Sequence, residues 1–95
     1  MGLDVIEEKN ANDVITYALD YPSMVLSETK SLGSTNLEEF ALGLYIGHIC
    51  GVFFDGFLKR NKRFLEAEES GDFHAILVKR IPEIRLKIQA HLRKK

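Results

Sequence analysis

The chain has 95 residues, with 45% hydrophobic and 28% charged side chains, and this excludes an intrinsically disordered segment and favours one domain spanning residues 1–95. The net charge of −1 conceals an asymmetry. Residues 1–39 hold two Lys against eight acids, a net −6, whereas residues 40–95 hold eleven Lys and Arg against six acids, a net +5. The lone cysteine, Cys50, excludes an internal disulfide and suits a reducing, cytoplasmic setting. The opening "MGLDVIEE" lacks the basic-then-apolar order of a secretory signal, and Ile6 occupies the position where a myristoylation signal needs Ser or Thr.

The first 33 residues read as one to three short helices. Apolar pairs at Val5-Ile6, Val14-Ile15 and Ala18-Leu19 are interrupted by Asn10, Asn12 and Asp13, so Asp13 is a candidate cap for a second helix. Pro22 suits the first turn of a further helix over "SMVLSETKSL", closed by Gly33. A strand over Val14–Tyr17 or Met24–Ser27 is the competing expectation.

Residues 35–70 read as one long helix. Thr35 with Glu38, or Asn36 with Glu39, fits a capping arrangement, and Ser70-Gly71 supplies a stop. Such a helix is about 50 Å long, and a kink near Gly51 or Gly56 is expected. On a helical wheel His48, Asp55, Lys59, Lys62 and Glu66 share a wet face. Ile46, Phe53, Phe57 and Phe64 lie opposite, flanked by Leu42, Ile49 and Cys50.

Asp72 reads as the N-cap of the last helix. Phe73, Leu77, Ile81, Ile84, Ile88 and Leu92 follow as one apolar stripe, with a kink or restart expected at Pro82. The expected fold is therefore all-α. It is a small bundle in which a long central helix and a kinked C-terminal helix form a tight antiparallel hairpin, with short N-terminal helices packed across it.

The stretch "GLYIGHICG" carries Gly43, Gly47 and Gly51 at intervals of four inside the most apolar part of the chain. Between Phe40 and Phe54 the only strongly polar side chain is His48, so this half-helix is apolar nearly all round and expects cover on more than one side. Small residues there admit a close backbone, either from a helix of the same chain or from a second molecule. The candidate interface comprises Phe40, Gly43, Leu44, Gly47, Gly51 and Phe54, and a homodimer is the expected partner state. The window 40–58 is also about long enough to span a bilayer, flanked by Glu38-Glu39 and by "KRNKR" (59–63). The Asp and His within it argue against that use.

Enzymatic chemistry finds little support. His48 and Asp55 stand two turns apart, and Lys59 is placed to reach Asp55. His48, Cys50, His74 and His91 lack metal-ligand spacing, and no cofactor or small-molecule substrate is implied. The glycines do not follow a strand as a nucleotide loop requires. From Lys79 to Lys95 seven Lys and Arg face Glu83 alone, a net +6. Lys79, Arg80, Arg85, Lys87 and Arg93 are therefore candidate contacts for a phosphate backbone, although no aromatic side chain after Phe73 interleaves with them. The sequence supports first a non-enzymatic, self-associating interaction module. A nucleic-acid-binding regulator comes second, and a membrane-associated subunit third.

Overall fold

A computed structural model describes residues 2–22 and 37–93 of the chain. Within them lie three helices and no strand: α1 (Val5–Asp20), α2 (Leu37–Asn61) and α3 (Ala67–Arg93). The expected helix closed by Gly33, the strand over Met24–Ser27 and the caps at Thr35 and Asn36 lie outside the described residues.

One cap starts α1. Asp4 has extended backbone, its Oδ1 accepts the Glu7 amide at 2.8 Å, and Glu7 and Glu8 lie in the first turn where the helix dipole favours anions. The helix then runs through all three residues expected to break it. Asn12 donates to the Glu8 carbonyl at 3.2 Å, Asn10 donates to Glu7, and Asp13 pairs with Lys9 at 2.8 Å and caps nothing. Val14–Tyr17 is helical, so the strand expected there is absent. The buried residues Glu7, Ala11, Ile15 and Leu19 recur every four positions, with Ala18 beside them, whereas Val5 and Ile6 are 80% and 70% exposed.

The central helix is shorter than the sequence suggests. It ends at Asn61, ten residues before Gly71, and neither Gly51 nor Gly56 interrupts it. Lys62 takes the left-handed conformation (φ 59°), and its amide donates to the Leu58 carbonyl at 2.8 Å, closing the last turn. Phe64, expected in the core, is therefore thrown out of the helix and is 78% exposed.

The next start is set by Glu69, which sits at the third position of α3 and reaches back. Its Oε1 accepts the Glu66 amide at 2.8 Å, one half of a capping box. The same carboxylate receives the two terminal guanidinium nitrogens of Arg63, Nη1 and Nη2, at 2.7 and 2.8 Å. Ser70, Gly71 and Asp72 consequently lie inside α3. Asp72 does not cap that helix; it accepts the Leu3 amide at 2.9 Å and ties the start of the chain onto α3. The connection between α2 and α3 is residues 62–66, in place of the expected Gly71-Asp72. Pro82 lies within α3, and helix is present on both sides of it.

The three helices touch pairwise around one core. Tyr45, Ile49, Phe53 and Phe57 of α2 meet Phe73, Leu77, Ile84 and Ile88 of α3 and Ile15 of α1. The rings of Phe53 and Phe73 stack with centroids 4.4 Å apart and planes 10° from parallel. At the other end Arg85 of α3 donates to Glu38 and Glu39 of α2 at 3.2 and 2.9 Å. Glu7 of α1 receives Arg60 of α2 at 2.7 and 3.0 Å, while Arg80 of α3 donates to the Asn12 carbonyl and Thr16 hydroxyl of α1. Within this fold α1 covers one side of the α2 and α3 pair.

Candidate interaction surface

The α2 core stripe, Ala41, Leu42, Tyr45, Ile49, Phe53 and Phe57, occupies one side of that helix. At 100° per residue the opposite side carries Phe40, Gly43, Leu44, Gly47, Gly51 and Phe54. These are the six residues that the sequence singles out as an interface, and α2 brings them onto one outward face. Gly43, Gly47 and Gly51 are exposed, Phe54 is 42% exposed, and Phe40 and Leu44 are half-buried.

No described residue fills the space above the glycines. A Cβ built on Gly43, Gly47 or Gly51 meets nothing within 4 Å, so neither α1 nor α3 is the close neighbour that the spacing invites. Gly56 differs, since a Cβ there would press on the flexible end of the Arg60 side chain. The open face is also free of charge between Phe40 and Phe54. Asp55, at its edge, is paired with Lys59 at 3.0 Å.

Two grooves flank this face. One of about 400 Å³ runs between α2 and α3 and is walled by Ile46, Cys50, Phe54, Phe73, His74 and Ile81. It adjoins a second hollow at Phe54, Phe64, Leu65 and Ser70. On the α1 side, Asp13, Val14, Tyr17, His48 and Val52 line a groove of about 320 Å³. Ile46 and Cys50 pack against the edge of the core as the wheel groups them, whereas Phe64 is exposed because a wheel drawn for one continuous helix cannot show that the helix stops before it.

No protein-family model, curated protein or solved structure matches this chain.

The reactive side chains are arranged for packing. Burial pushes the Cys50 thiol above its ordinary range, the reverse of what an activated nucleophile needs. Burial likewise pushes the Tyr45 hydroxyl up to about 12, and that oxygen has no hydrogen-bond partner among the described residues. Among the described residues no three His, Cys, Asp or Glu side chains converge in a way that would hold a metal ion.

The basic residues of α3 are unequal. Arg80 is engaged by Glu83 at 2.8 Å and by α1, and Arg85 by two glutamates of α2. Lys79 and Lys87 are exposed, and Arg93 is the last residue of α3. The segment Glu38–Asn61 is long and apolar enough to cross a bilayer, with a third of its most apolar window buried inside the fold.

Proposed function

We propose that this chain is a non-enzymatic helical interaction module that associates with itself through the outward face of α2. The observation that carries this reading is the set of three exposed glycines with no described residue packed on them. Glycine inside a helix costs about 1 kcal/mol relative to alanine, so the three together cost about 3 kcal/mol. A small domain has only about 5–15 kcal/mol of stability. No contact among the described residues uses the space that the missing side chains leave. A second backbone at that face uses it directly, because small residues permit close helix approach. Phe54 and the half-buried Phe40 and Leu44 add apolar area beside the glycines.

In this reading α2 and α3 form an antiparallel hairpin, with α3 kinked where Pro82 lacks an amide donor. Support comes from Glu38 meeting Arg85 at one end of the pair and Phe53 meeting Phe73 at the other. The module operates in the cytoplasm, where its one free thiol stays reduced.

Light scattering across a broad concentration range tests the reading. A mass rising above 10.8 kDa toward twice that value is expected, and a constant mass of 10.8 kDa refutes it. Gly47→Leu, at a position where an added Cβ meets nothing within 4 Å, should raise the dissociation constant about 30-fold or more while leaving helicity unchanged.

A further inference from the structure

We draw no further inference here: the strongest candidate, the apolar groove between α2 and α3 walled by Ile46, Cys50, Phe54, Phe73, His74 and Ile81, carries none because nothing in the structure shows what covers it.

Discussion

The Glu7 carboxylate receives Nε and Nη2 of Arg60 at 3.0 and 2.7 Å, a two-point ion pair that joins the first turn of α1 to the last turn of α2. Asn61 adds a third donor at 2.9 Å. Glu7 is 6% exposed, so its charge depends on these partners. The Arg60 hydrogen bonds are the main cause holding its carboxyl down at about 2, against an ordinary 4.5. Because the folded value lies below the unfolded one, the stabilisation is complete above pH 4.5 and is lost as pH falls toward 2. Urea midpoints measured from pH 7 to pH 2 should fall through that window, and Glu7→Gln should flatten the fall. Glu69, held at about 2 first by Arg63 and then by the Glu66 amide, adds to the same acid limb.

The outward glycines should behave differently inside and between molecules. Gly43→Ala and Gly51→Ala should each raise the stability of the dissociated chain by about 1 kcal/mol, because an exposed helical glycine costs about that much. Denaturation at high dilution measures this gain. A loss of stability at dilution would mean that a neighbour from the same chain already occupies the space.

Lys62 holds a conformation that suits glycine, with φ at 59°. Lys62→Gly should stabilise the chain by about 1 kcal/mol by relieving the left-handed strain at the end of α2. The shift in thermal midpoint checks it, and no gain would show that this residue does not carry that strain.

The register of the core is testable with two phenylalanines. Phe53 is fully buried and stacks on Phe73, so Phe53→Ala should cost about 3–5 kcal/mol. Phe64→Ala, three positions past the end of α2 and 78% exposed, should change the stability of the dissociated chain by less than about 0.5 kcal/mol. A continuous helix through residue 70 would make both costly.

The Tyr45 hydroxyl is buried without a hydrogen-bond partner among the described residues. Removing a desolvated, unbonded polar atom should be neutral or favourable, so Tyr45→Phe is expected to gain up to about 1 kcal/mol in urea unfolding. A clear loss would reveal a hydrogen bond to that oxygen.

The sequence by itself determined the all-helical class and the α3 stripe from Phe73 to Ile88, because helical periodicity is a local property written in residue spacing. It did not determine where the helices stop. Gly71 and Asp72 carry the composition of a turn, yet the turn is made by Lys62 and by Glu69 binding Arg63 and the Glu66 amide, contacts whose strength depends on atoms brought together by folding. Nor did it predict that Arg80 and Arg85 are engaged in ion pairs or that Phe64 is exposed. The glycines mark the limit most clearly. Their spacing announced a close neighbour, and only the packed helices showed that α1 and α3 both lie elsewhere, since which face of an amphipathic helix is covered is settled by the other elements of the fold.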